Sequence, residues 1–185
     1  EKDVAEVDAL YRELLIGVTS FFRDKEAFSV LRSHWTSRLK EGDHKPVLRC
    51  WVAGCSTGEE AYSLAITLLE VIRETGSSAT LKVFATDIDS AALAKAALGR
   101  YPESIAADID RALLSRYFVR KEQDFQVARG LREQIVFAHH DLVRDPPFTN
   151  IDIISCRNLL IYLQPVLQRK VLEHMNFALA EEGTL

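Results

Sequence analysis

The stretch Leu48-Arg49-Cys50-Trp51-Val52-Ala53-Gly54-Cys55-Ser56-Thr57-Gly58-Glu59-Glu60 decides the fold of this chain. It reads as a buried strand, a tight glycine turn and the start of a helix. Glycine has no side chain, so a ligand can approach the backbone closely at such a turn. A helix N-terminus carries partial positive charge and normally receives phosphate. Here Glu59 and Glu60 already hold that end, and a pyrophosphate would meet two carboxylates. The pattern predicts a ligand without phosphates and with positive charge of its own.

Outward from this turn, strands alternate with helices. Residues near 3–16 read as a helix. Asp24 is placed to cap a helix whose apolar positions Phe28, Leu31, Trp35 and Leu39 recur at spacings of three and four. Gly42 to Pro46 is a break. The strand Val47 to Ala53 leads into a helix from about Glu60 to Arg73, closed by Gly76. Leu81 to Thr86 is a second strand, and Asp89 or Ser90 caps an alanine-rich helix stopped by Gly99. Pro102 opens an irregular piece, and Asp108 to Tyr117 reads as helical. Residues 118–137 read as short antiparallel strands around Gly130. Ile135 to Ala138 and Ile151 to Ser155 are further strands, and Pro165 opens a last helix running to about Glu181. Such alternation argues a parallel sheet with helices on both faces. About four strands are accounted for, and Glu182-Gly183-Thr184-Leu185 reads as a turn entering another.

Composition excludes several classes. Within 185 residues, 48% are apolar, enough for one globular domain with a real core. No apolar run approaches the roughly 20 residues of a membrane span, and the first residues do not resemble a secretory signal. A net charge of −4 without a polybasic block argues against a nucleic-acid partner. Cys50, Cys55 and Cys156 lack metal-ligand spacing and read as reduced core thiols, which fits a cytoplasmic protein.

Chemistry concentrates at the strand ends. Asp87 ends the second strand, where an acid reaches the two hydroxyls of a ribose; Asp89 is assigned to the helix cap. S-adenosylmethionine, a nucleoside with a sulfonium and an amino group, has the required ligand chemistry. A rival reading comes from Gly54-Cys55-Ser56-Thr57-Gly58, which matches the G-x-S-x-G elbow of α/β-hydrolases, with Asp87 and His139 or His140 following in triad order. Against it stand an elbow on the first strand rather than a middle one, no glycine-rich oxyanion loop, and two glutamates where an oxyanion must be stabilised. Phe21 and Phe22 read as core anchors and Arg23-Asp24 as a surface pair. His34, His44 and His174 have no assignable partner. Adjacent His139 and His140 point opposite ways and make a poor metal pair. Arg157-Asn158 sits where an apolar strand ends, a usual ligand position in α/β sheets. Tyr162 reads equally as a site residue or as a core residue with a surface hydroxyl.

Four stretches together resemble the CheR-type chemotaxis receptor methyltransferases: Thr19-Ser20-Phe21-Phe22-Arg23, Cys55-Ser56-Thr57-Gly58-Glu59-Glu60-Ala61-Tyr62-Ser63, Ala85-Thr86-Asp87-Ile88-Asp89 and Cys156-Arg157-Asn158-Leu159-Leu160-Ile161-Tyr162. The wording of Ile16 to Asp24 and Ile154 to Leu163 is most like CheR domains fused to a CheB-type methylesterase. The resemblance implies an α/β, Rossmann-like S-adenosylmethionine-dependent methyltransferase fold. It implies a helical remnant over 1–45, a methyltransferase domain over 46–185, a small β-subdomain at about 118–137, and a sheet short of its last strands. Carried over by position, Thr19, Arg23, Glu60, Asp87, the pair Asp141-Leu142 and the pair Arg157-Asn158 contact S-adenosylmethionine or its product S-adenosylhomocysteine. Arg23 and Tyr162 lie where the family handles the reacting carboxylate. Gly17 departs from the pattern, since an asparagine is frequent there, and Asp141 also replaces an asparagine and is expected to act through its backbone.

The implied reaction is methyl-ester formation on receptor glutamates, with no metal. The implied partner is the cytoplasmic domain of a chemotaxis-type receptor, engaged without a pentapeptide tether, alongside a fused or associated methylesterase. Two other classes stay open: a non-catalytic S-adenosylmethionine-binding sensory or scaffold module, and a hydrolase using Ser56.

Overall fold

A computed structural model describes residues 19–41 and 45–185. The helix expected near residues 3–16 lies outside the described residues, as do Gly42 and His44. Strand β1 (Val47–Ala53) leads through the glycine turn into helix α2 (Glu59–Thr75), after helix α1 (Lys25–Lys40). Strand β2 (Thr80–Asp87), helix α3 (Ser90–Leu98) and strand β3 (Arg100–Pro102) follow. Next come a 3-10 turn (Glu103–Ala107), helix α4 (Arg111–Tyr117), strands β4 (Phe118–Lys121) and β5 (Asp124–Val127), and a one-turn helix α5 (Arg129–Arg132). Strands β6 (Ile135–His139) and β7 (Ile151–Ser155), a 3-10 turn (Leu160–Tyr162), helix α6 (Pro165–Ala178) and strand β8 (Leu179–Thr184) complete the chain.

The main sheet is parallel, in the order β6-β2-β1-β7-β8. β1 is thus its middle strand, buried from Cys50 to Ala53, which explains its nearly unbroken apolar run. Alternation along β1 feeds two cores. Leu48, Cys50 and Val52 pack in one cluster with Trp35 and Leu39 of α1 and the inner residues of α2. Trp51 and Ala53 point the other way, toward Val171, Met175 and Ala178 of α6. Period-two burial on a strand between period-3.6 helices is the physical content of the layered fold.

Several expectations are corrected. The sheet has five strands, not four, because β8 begins at Leu179 and pairs with β7 at Ile151 and Ile153. The last helix accordingly stops at Ala178 rather than near Glu181. The antiparallel piece is a three-stranded sheet, β3-β5-β4, that recruits Arg100–Pro102. Gly130 sits on α5, not in a strand turn. Asp24 occupies the N-cap position of α1 in a left-handed conformation (φ 59°) and makes no capping hydrogen bond. Asp89 does cap α3, accepting from the backbone N–H groups of Ala91 and Ala92. Gly76 and Gly99 end their helices at positive φ, as read.

Gly58, at φ 96°, packs α2 against α3. A Cβ there would stand 2.9 Å from Ala96 Cβ and 3.3 Å from its Cα, with no room for a side chain. The close approach brings the N-terminal turn of α2 to the carboxyl edge of the sheet.

Candidate functional site

A cavity of about 670 Å³ opens at the carboxyl ends of β1, β2, β6 and β7. Its floor is the turn after β1, where Gly54 (φ 74°), Ser56 (φ 48°) and Gly58 (φ 96°) alternate in positive φ and coil the chain tightly. The Gly54 and Cys55 N–H groups both bond the Thr86 carbonyl, at 2.8 and 2.9 Å, extending the β1–β2 pairing into the turn.

Asp87 ties the strand tips together. Its Oδ2 accepts from Ser56 N at 2.7 Å and its Oδ1 from Asp89 N at 2.9 Å. Its carbonyl accepts from His140 N at 3.0 Å. A carboxylate has about four lone-pair sites, so two backbone donors leave capacity for two more.

The two glutamates separate. Glu60 lines the cavity, and its Oε1 accepts from Ser155 Oγ at 2.6 Å. Burial raises its pKa above the usual carboxylate value, against the pull of Ser155, Arg157 and Arg23. Glu59 accepts from Thr57 Oγ1 at 2.7 Å, and burial raises its pKa too. Only Glu60 therefore faces the ligand space; the expectation that both crown it is corrected.

The other walls come from distant segments. Thr19 and Arg23 precede α1; Asp141 and Leu142 follow β6; Arg157, Asn158 and Tyr162 follow β7. All nine residues singled out from the sequence thus line one cavity. Asp141 Oδ1 accepts from the Val143 and Arg144 N–H groups at 2.8 and 3.2 Å, which uses the carboxylate to hold its own turn. Tyr162 is 49% exposed, which removes the core reading. Asn158 stands at φ 57°, so the wall after β7, like the floor, uses left-handed backbone at the site.

Arg157 was legible in the sequence, but its partners were not. It donates to the Arg23 carbonyl at 2.9 Å and to the Asp24 carboxylate, and its guanidinium lies 5.4 Å from the Phe28 ring centroid. His140, at a strand end from which it could reach a ligand, and Lys95, which the sequence did not single out, also line the cavity. His140 Nε2 meets the Pro146 carbonyl at 3.1 Å and its ring stacks on Phe148. For His140 the signal was its place just after a strand; Lys95 lies within α3, where the sequence carried none.

The hydrolase geometry is not assembled. Among the described residues no hydrogen bond joins Ser56 Oγ, a histidine ring and Asp87, whose oxygens serve backbone donors. One argument against it is itself corrected, since β1 is the middle strand of the sheet. Cys50 and Cys55 are buried in the core as read, whereas Cys156 is only half-buried; burial and the nearby Glu60 push its thiol up to about 12. Among the described residues no group of three or more His, Cys, Asp or Glu side chains could hold a metal ion, and no helix is long and apolar enough to cross a membrane.

A glycine turn after the central strand, an acid at the tip of the next and a cavity across both are the features of a Rossmann-like nucleoside-binding fold, and a family match over residues 17–185 places it in the S-adenosylmethionine-dependent methyltransferase class. The fold matches the crystal structure of the DszA carbon methyltransferase with a TM-score of 0.53, at 17% identity, over 85% of this chain and 32% of that one. Residues 17–185 match the family described as CheR methyltransferase, SAM binding domain, and the chain belongs to that family. An uncharacterized 104.1 kDa protein in the hypE 3′ region of Rhodobacter capsulatus is 41% identical over 99% of this chain and 19% of its own length. A chemotaxis protein methyltransferase of Listeria innocua is 33% identical over 88% of this chain and 60% of its own length. The chain thus spans between a fifth and about three fifths of these relatives.

The cavity's donors and acceptors fit S-adenosylmethionine. Asp87 keeps lone pairs for a diol and Glu60 is a half-buried acceptor for a cation, while the space beside Gly54 is taken by the Leu159 side chain, which a Cβ would meet at 2.9 Å.

Proposed function

We propose that this domain methylates glutamate side chains of a chemotaxis-type receptor, using S-adenosylmethionine and releasing S-adenosylhomocysteine. One observation carries the reading: Thr19, Arg23, Glu60, Asp87, Asp141, Leu142, Arg157, Asn158 and Tyr162, drawn from the whole length of the chain, border a single cavity.

In this reading Asp87 accepts from the ribose hydroxyls and Glu60 from the ligand's amino group. Arg23 and Arg157 hold carboxylate by charge-assisted hydrogen bonds. The backbone at Asp141 and Leu142 borders the base, and Thr19 and Asn158 close the sides. When bound, S-adenosylmethionine supplies an electrophilic methyl group, which bonds to the glutamate oxygen while the sulfur keeps the electron pair of the broken bond. A glutamate of pKa about 4.3 is already an anion at neutral pH, so the chain need supply no base. Its contribution is orientation: Arg23 and Tyr162 align the carboxylate oxygen with the methyl carbon and the sulfur.

The strands of the small sheet are only three or four residues long, which supports receptor engagement without a pentapeptide tether. The 104.1 kDa relative, of which this chain covers 19%, supports a multidomain setting such as fusion to a methylesterase.

The test is incubation with methyl-labelled cofactor and receptor fragments, followed by mapping of base-labile label to glutamates. Ligand binding without transfer would favour the non-catalytic sensing module. The transfer rate is expected to be flat between about pH 6.5 and 8.5, since substrate and donor keep their charges there. On the acid side it falls as Glu60, whose pKa burial raises, takes up a proton and ceases to attract a cation. A steep rise centred near pH 7 would instead require a histidine base and overturn the orientation mechanism.

A further inference from the structure

Arg157 lies between two carboxylates, and the structure shows which one it takes. Its Nη2 hydrogen-bonds the Asp24 carboxylate, while its Nη1 stands 3.9 Å from Glu60 Oε2, a loose ion pair beyond hydrogen-bond distance. Glu60 Oε1 accepts from the Ser155 hydroxyl at 2.6 Å, and the Arg157 and Arg23 charges also act on this carboxylate. The Arg157 side chain is 21% exposed and Glu60 18%, whereas Asp24 is 63% exposed, so solvent screens the Asp24 pair and limits its strength.

Asp24 gives up a local role to make this bond. An aspartate at an N-cap normally accepts from the N–H groups of the first helical turn, a contribution of about 1 kcal/mol. Asp24 instead sits at φ 59°, where aspartate is tolerated, and makes no capping bond. Its carboxylate turns to a guanidinium 133 residues away. Phe22, also left-handed at φ 52°, donates its N–H to Ser63 Oγ at 2.9 Å. The segment carrying Thr19 and Arg23 is thus pinned at Ser63 and at Arg157, which also bonds the Arg23 carbonyl.

We propose that Asp24 is a positioning residue: it holds the Arg157 guanidinium at the cavity mouth and out of hydrogen-bond distance of Glu60, leaving the Glu60 oxygens available to the cationic amino group of the ligand. This rests on the reading that Glu60 faces the bound cofactor. Without the Asp24 charge, Glu60 is the carboxylate left beside Arg157 among the described residues, and their loose ion pair closes to a charge-assisted hydrogen bond that competes with the ligand's amino group.

The test is a double-mutant cycle in the whole protein, read by calorimetric titration with S-adenosylhomocysteine, which carries the same amino group. Asparagine keeps the size and left-handed tolerance of Asp24 while removing its charge. Asp24→Asn is expected to weaken binding about three- to fivefold, the upper range for a pair with one exposed partner. In an Arg157→Gln background the same change is expected to have no further effect. Asp24→Gly, also suited to φ 59°, should reproduce both results and replaces the asparagine variant if that one does not fold. Equal weakening in both backgrounds, or unchanged affinity with Arg157 present, overturns the proposal alone. No binding by the unsubstituted protein overturns it together with the cofactor reading.

Discussion

Replacing Asp87 with alanine is expected to weaken S-adenosylmethionine binding at least tenfold, and by about 100-fold if both ribose hydrogen bonds are lost. Each charge-assisted hydrogen bond contributes about 1.5–3 kcal/mol, and each 1.4 kcal/mol is a factor of ten. The side chain also bonds the backbone of Ser56 and Asp89, so its removal loosens the turn that floors the cavity. Asp87→Asn is no gentler. Both backbone partners are donors, and an amide offers only one acceptor oxygen. Titration of each variant, beside thermal melting without ligand, checks the expectation. Unchanged affinity in a folded Asp87→Ala protein removes Asp87 from the ligand site.

Glu70→Gln is expected to cost about 2 kcal/mol of stability at neutral pH. Glu70 lies on the buried face of α2, 4% exposed, and accepts from Arg73, Arg116 and the Tyr117 hydroxyl. Burial alone would raise its pKa; the hydrogen bonds from Arg73, Arg116 and Tyr117 outweigh it and hold the carboxyl at about 2, against 4.5 for a free one. That difference sets an upper bound of about 3 kcal/mol, discounted because both arginines are about half exposed. Since the folded pKa lies below the unfolded one, the stabilisation is complete above about pH 4.5 and fades as pH falls toward 2. The melting temperature should therefore drop by about 4–8 °C at pH 7, and the gap between the two proteins should narrow below about pH 4.5. A gap that does not change with pH would assign the loss to packing rather than charge.

The two predictions differ in how far the sequence announced them. Asp87 was legible because its meaning is local: an acid at the end of an apolar strand, two residues before a helix cap. Glu70 was not, since its partners Arg116 and Tyr117 come from a helix more than 40 residues on, and periodicity says nothing about which faces meet. Asp24 was misread for the same reason. Its place before an amphipathic run matches an N-cap, and only the return of the chain after β7 brings a competing guanidinium. Leu179–Thr184 was read as helix and turn because its polar residues hide a strand paired on one side to β7.

By itself the sequence determined the layered fold, the glycine turn and the capping at Asp89, because each depends on neighbours a few positions away; Thr19, Arg23, Asp141 and Leu142 entered the candidate site through the family resemblance alone. The tertiary structure decided which carboxylate faces the cavity, which cation each acid holds and how many strands the sheet has. Those choices are made between segments far apart in the chain, where burial and competition among charges, rather than local preference, set the outcome.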